Sequence, residues 1–242
     1  MKLTSKDTAN LSNIIAVCAI GSIDAVIIDD GIIRGANAEK TCAIISKVDV
    51  PEFKQKIGLA RLSQLRQRLD LFSNDSSMVI DAKESDRGEI SSLEISAGRN
   101  KAQFRCTSTM LIKAPMSIND EEACRIFLEK EEAQMILNAV KVMGTKKVQL
   151  TIKKDRSVIF TLPDTTNDAF TTVLKTPSER LGEDEMDSVV HYYPSDIFSS
   201  IMRSKLDTSP ITFDVGVIGT IRTTVSGHVL VMLPQINEDA ED

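Results

Sequence analysis

Arg61, Arg66 and Arg68 stand on the stretch "GLARLSQLRQRLDLF", residues 58–72, around a stripe of Leu62, Leu65, Leu69 and Phe72 at helical spacing. No acid interrupts them before Asp70, although the whole chain carries a formal charge of −6. More basic residues fall on or near three other expected helices: Lys6 on the first, Lys141 with Lys146 and Lys147 around the end of the third, and Arg203 with Lys205 on the fourth. Acids gather instead in "NDSSMVIDAKESDRGE", "NDEE", "EKEE" and "SERLGEDEMD", mostly loops and linkers. One basic helix is an ordinary solvated face. Four of them suggest a basic surface on an otherwise acidic molecule. That surface suits a phosphate backbone, while the acidic remainder discourages general nucleic-acid coating. The third helix fits least well, because Glu129, Glu131 and Glu132 favour its N-terminal dipole but dilute a basic face.

Other chemistry finds little support. Neither G-x-x-x-x-G-K-[ST] nor G-x-G-x-x-G occurs, and "GTKK" at 144–147 lacks the loop glycine and the hydroxyl residue of a phosphate-binding loop. His191 lies in a strand pattern and His228 follows Gly227 at a turn. Neither has a nucleophile or carboxylate at a recognisable spacing. Asp29 and Asp30 are explained by a turn. Cys18, Cys42, Cys106 and Cys124 are far apart in apolar contexts, which reads as buried free thiols rather than disulfides or zinc ligands. The expectation is a non-catalytic protein without cofactor or metal. The N-terminus "MKLTSKDTANL" lacks an apolar signal core, and no run approaches the roughly 18–20 apolar residues of a membrane span, so a cytoplasmic location is expected.

The elements that must position these charges repeat. A first helix, "TSKDTANLSNIIAVCA", opens on a Thr4-x-x-Asp7 capping box and buries Leu11, Ile14, Ile15 and Cys18. Asp30-Gly31 between two β-branched runs predicts a hairpin, and a third strand is expected at 39–48. The arginine helix and three more strands follow. Residues 109–123, "TMLIKAPMSINDEEA", read as a linker with exposed apolar residues. The pattern then restarts, with helices opening near 130 and 194 among further strands. An α+β chain of two similar halves results, each with two helices on one face of a sheet. Its expected divisions are 1–110, a connector at 111–122, 123–236, and an acidic tail at 237–242.

In this order the chain resembles the DNA sliding clamps, the polymerase processivity factors. "MKLTSKDTANLSNI" looks like the opening of clamps from large tailed bacteriophages. "DDGIIRGANAEKTCAIISK" and "SGHVLVMLPQINEDAED" are similar to the early hairpin and the end of proliferating cell nuclear antigen and its archaeal relatives. The resemblance implies a closed homotrimeric ring with helices lining a central hole. Lys6, Arg61, Arg66, Arg68, Lys141, Lys146, Arg203 and Lys205 would face duplex DNA there without reading bases. It implies subunit contacts through two strand edges, Ala102, Phe104 and Cys106 on one and Phe170, Thr172 and Leu174 on the other. It also implies a pocket for peptides of a DNA polymerase and a clamp-loader ATPase, built by Ile112, Pro115, Met116 and Ile118 with Met232, Leu233 and Pro234. The connector is shorter than in the cellular clamps. The competing reading is a monomeric or dimeric β-rich interaction scaffold without a ring. A phage origin would place the protein in the host cytoplasm.

Overall fold

A computed structural model of the chain describes residues 2–235 except 4, 48–54, 74, 87, 165, 167 and 182–187. Thr4 and the acidic tail therefore lie outside the described residues. The chain divides into two compact units at Ser117/Ile118, the first also taking in Ser226–His228.

The first unit runs β1 (Lys2–Leu3), α1 (Ser5–Ile20), β2 (Ala25–Asp29), β3 (Ile32–Ala36), β4 (Cys42–Lys47), β5 (Ile57–Ala60), α2 (Leu62–Asp70), β6 (Val79–Glu84), β7 (Ile90–Ala97) and β8 (Asn100–Arg105). Asp30 and Gly31 both take positive φ, 47° and 71°, and so turn β2 onto β3 as the dipeptide requires. The strands lie in the order β1-β6-β7-β5-β2-β3-β4, with β8 on the flank of β7 opposite β6. The β5–β7 junction is a single parallel bridge, Ile57 to Ile90. Beyond β7, β8 has no further strand partner among the described residues. Leu11, Ile14 and Cys18 of α1 and Leu65 of α2 are fully buried with Val26, Ile28, Ile33, Ile44 and Leu59 of the sheet.

The second unit contains β9 (Glu122–Leu128), α3 (Lys130–Met143), β10 (Lys147–Ile152), β11 (Val158–Pro163), β12 (Ala169–Val173), β13 (Glu179–Arg180), β14 (Val189–Pro194), α4 (Ser195–Lys205), β15 (Ile211–Gly216), β16 (Ile221–Val225) and β17 (His228–Met232). Its strands form the series β17-β16-β15-β9-β13 and a four-stranded sheet, β12-β11-β10-β14. Phe198 of α4 joins them, with ring centroids 5.6 Å from Phe160 and 5.8 Å from Phe213. A capping box starts α3: the buried Glu132 carboxylate accepts from the Glu129 N–H at 2.9 Å and, with its other oxygen, from the Lys175 N–H at 2.8 Å. One side chain thus ties the helix start to the chain just past β12. At its far edge β12 has no strand partner among the described residues.

All four cysteines are free thiols. Burial pushes Cys18, Cys42 and Cys106 up to about 12 and Cys124 to about 11, so none is a ready nucleophile.

Candidate nucleic-acid interface and partner surface

The three arginines of the second helix do different jobs. Arg61 is the residue before α2 and sits in the left-handed region at φ 61°. Its guanidinium lies over the Phe104 ring at 5.4 Å, and its Nη2 donates to the Arg105 carbonyl at 3.1 Å. Arg68 covers the same ring at 5.7 Å and donates to the Gln64 carbonyl. The two cations seal Phe104 of β8 from water. Arg66 is exposed, with Asp70 one turn on at 3.9 Å. The Phe104 contact was not among the sequence expectations. Its only local signal is an aromatic residue on an otherwise polar strand.

The other basic positions divide in the same way. Lys6, Lys141, Lys146 and Arg203 are exposed. Lys205, expected on the basic surface, is instead buried: its Nζ donates to Thr223 Oγ1 at 2.8 Å and to the Thr224 carbonyl at 3.0 Å. Burial also draws its pKa down. It closes the end of α4 onto β16 and presents no charge outward. Between the basic positions the outward faces are nearly neutral. On α1 the exposed residues after Lys6 are Ala9, Ser12, Ala16 and Ala19, and on α3 they include Gln134, Met135, Asn138 and Val142.

At the strand edges, Ala102, Cys106, Phe170 and Thr172 are half-buried. Phe104 and Leu174, expected at subunit edges, turn their side chains inward and leave only backbone at the rim.

The connector is anchored separately to each unit. Within the first, the Glu89 carboxylate accepts from Thr109 Oγ1 at 2.6 Å and Ser108 Oγ at 3.3 Å, which holds its pKa below the usual range. Ile112 is buried beside Gly58, so it is a core contact rather than a pocket wall. Met110, Leu111 and Met116 are left strongly exposed, while Pro115 is half-buried. Ile27, Asp29, Arg34, Lys56, Met110 and Met116 line a hollow of about 190 Å³.

Within the second unit, Asp120 accepts from the Ile218 and Thr220 N–H groups, each at 3.0 Å, and from Thr220 Oγ1 at 2.7 Å. A Cβ at Gly216 would meet the Asp120 carboxylate at 2.0 Å, so this seat requires glycine. Arg222 adds Nη2 contacts to the Ile118 and Asp120 carbonyls. Ile118, Leu233 and Pro234 are half-buried, but Met232, expected to line the pocket, is fully buried in β17. Met232 falls in phase with the buried His228 and Leu230 of β17, so the strand's own alternation carries it into the core.

The histidines are placed by packing. His228 is buried with Nδ1 3.3 Å from Ser46 Oγ. His191 packs its ring against Gly219, its Nε2 buried and without a hydrogen-bond partner among the described residues. Burial lowers both pKa values. Among the described residues no group of three His, Cys, Asp or Glu could hold a metal ion, and no helix is long and apolar enough to cross a membrane.

No family model and no curated protein sequence matches the chain. Solved structures do. A structure described as the C-terminal region of FEN-1 bound to A. fulgidus PCNA aligns over 98% of this chain and 98% of its own, at 13% identity and TM-score 0.61. Proliferating cellular nuclear antigen from Entamoeba histolytica aligns over 93% of this chain and 96% of its own, at 12% identity and TM-score 0.64. With its two α+β units and its order of elements, the chain has the fold of the sliding clamps of the proliferating cell nuclear antigen type.

Proposed function

We propose that the protein is a DNA sliding clamp, a non-catalytic ring that encircles duplex DNA and tethers a polymerase. The observation that carries this reading is a terminal strand in each unit, β8 in the first and the β12 end of the four-stranded sheet in the second, each with a flank unpaired among the described residues, on a clamp fold. An uncovered edge invites strand addition, and head-to-tail pairing of β8 with a neighbour's β12 covers both of these edges in every copy once the ring closes. Closure at three copies is the expected number.

Within such a ring Lys6, Arg66, Lys141, Lys146 and Arg203 supply a sparse lining for phosphates. Sparse contact suffices, because a closed ring stays on DNA by topology. Arg61 and Arg68 serve the edge strand instead. The exposed Met110, Leu111 and Met116, of which the two methionines line the hollow with Asp29 and Arg34, are the surface offered to apolar anchors of polymerase or loader peptides.

Light scattering tests the reading. A mass of three subunits that does not depend on DNA is expected. A monomer at high micromolar concentration would overturn the ring, and with it the clamp.

A further inference from the structure

We infer that Met116 is a stereoselective oxidation site, with Arg34 directing which face of its sulfur a peroxide attacks. The chain has nine methionines. Among the described residues the two most exposed, Met110 at 85% and Met116 at 80%, both lie on the connector and line the same hollow. Met135 follows at 40%, while Met202 and Met232 are sealed in the core. Oxidation of a thioether follows access, so the connector methionines react first.

Their surroundings differ in one respect. Arg34 Nη1 donates to the Met116 sulfur at 3.7 Å, and the guanidinium is held in place, 18% exposed and 3.9 Å from the Asp29 carboxylate. A thioether sulfur carries two lone pairs that are inequivalent in a chiral protein. The Arg34 N–H occupies one, leaving the other to the oxidant. That lone pair attacks a peroxide oxygen: an S–O bond forms, the O–O bond breaks, sulfur loses two electrons, and hydrogen peroxide leaves as water. The product is one sulfoxide epimer at Met116. No such donor meets the Met110 sulfur among the described residues, so Met110 gives both epimers.

The change converts a flexible apolar side chain into a polar one at the mouth of the hollow. Its bearing on partner docking rests on the clamp reading above. The chemistry does not.

The test uses the full chain, treated with limiting hydrogen peroxide and mapped by peptide mass. Aliquots are then treated with each of the two stereospecific methionine sulfoxide reductases, with dithiothreitol as reductant. Met110 and Met116 should oxidise several-fold faster than Met202 and Met232. One reductase should restore nearly all of Met116 and the other almost none, while Met110 divides between them. Arg34→Leu should remove the bias at Met116. Should that variant not fold, Met110 in the unaltered chain remains the internal control. An even split at Met116, oxidation no faster than at the buried methionines, or a bias surviving in a folded Arg34→Leu protein would overturn the inference. A monomeric mass with the epimer bias intact would instead fail the ring alone.

Discussion

Arg61 and Arg68 are bound to the Phe104 ring, whereas Arg66 is exposed, and substitution separates the two roles. Replacing Arg61 and Arg68 together by Ala uncovers Phe104 and should cost about 1–2 kcal/mol, at roughly 0.5–1 per exposed cation–π contact. A urea melt measures the loss, and the proposed trimer should weaken with it because β8 loses its cover. Replacing Arg66, Lys141 and Arg203 by Ala should change stability by less than about 0.5 kcal/mol. Retention on DNA should fall, and the salt dependence should flatten by about 0.9 in log–log slope per phosphate contact removed. Unchanged retention across a salt series would remove these residues from the proposed DNA surface. Glu132 poses a third case: Glu132→Ala removes the acceptor of two N–H groups, of Glu129 and Lys175, at about 0.5–1.5 kcal/mol each by the same melt. The basic residues were legible in sequence as charges but not as contacts. Arg61 and Phe104 meet only because β8 pairs with β7 and returns under α2, and no local pattern encodes that. Lys205 sits where helical spacing puts an outward lysine, yet the hydroxyl and carbonyl of Thr223 and Thr224 draw it in.

Helices and hairpins were the most legible elements, because each carries its own signal: the Leu62–Leu65–Leu69 stripe, the left-handed pair at Asp30 and Gly31, the acids that cap α3. Strand order was not, since β5 meets β7 through one bridge across a long sequence gap. The connector shows the same divide. Its exposed methionines could be read from composition, but not the carboxylates that seat its two ends. Asp120→Ala removes three acceptor contacts from the 216–220 loop. The Ile218 and Thr220 amides should then exchange hydrogen markedly faster, with the first unit's amides unchanged. Protection unaltered at those two amides would show that the loop holds itself.

For the whole molecule, the two histidines set a pH dependence whose sign is fixed by packing. Both have folded pKa values lowered by burial relative to the ordinary value of about 6.5. The unfolded chain therefore binds more protons as pH falls through that value, and stability drops. Thermal melts should move down from pH 7 toward pH 5. At lower pH comes a second loss, as carboxylates such as Glu89, whose folded pKa is lowered by Thr109 and Ser108, become protonated. Replacing both histidines by Asn should flatten the upper phase alone. A flat profile in the unaltered chain would mean that neither imidazole is held neutral by its surroundings.

In the proposed ring the pairing edges β8 and β12 differ from each other, so a chain of copies joined through them would have a direction. On that reading each added copy would cover one β8 and offer another, and growth would stop only where the last edge finds the first. Ring closure is intramolecular and independent of concentration, whereas addition of a further copy is second order. Dilute protein should therefore close, and concentrated protein whose edges are strained or mutated should extend into open linear polymers. Shortening the β8–β12 register by one residue pair would shift that competition. Sedimentation across a concentration series would then show discrete rings giving way to a ladder of longer species.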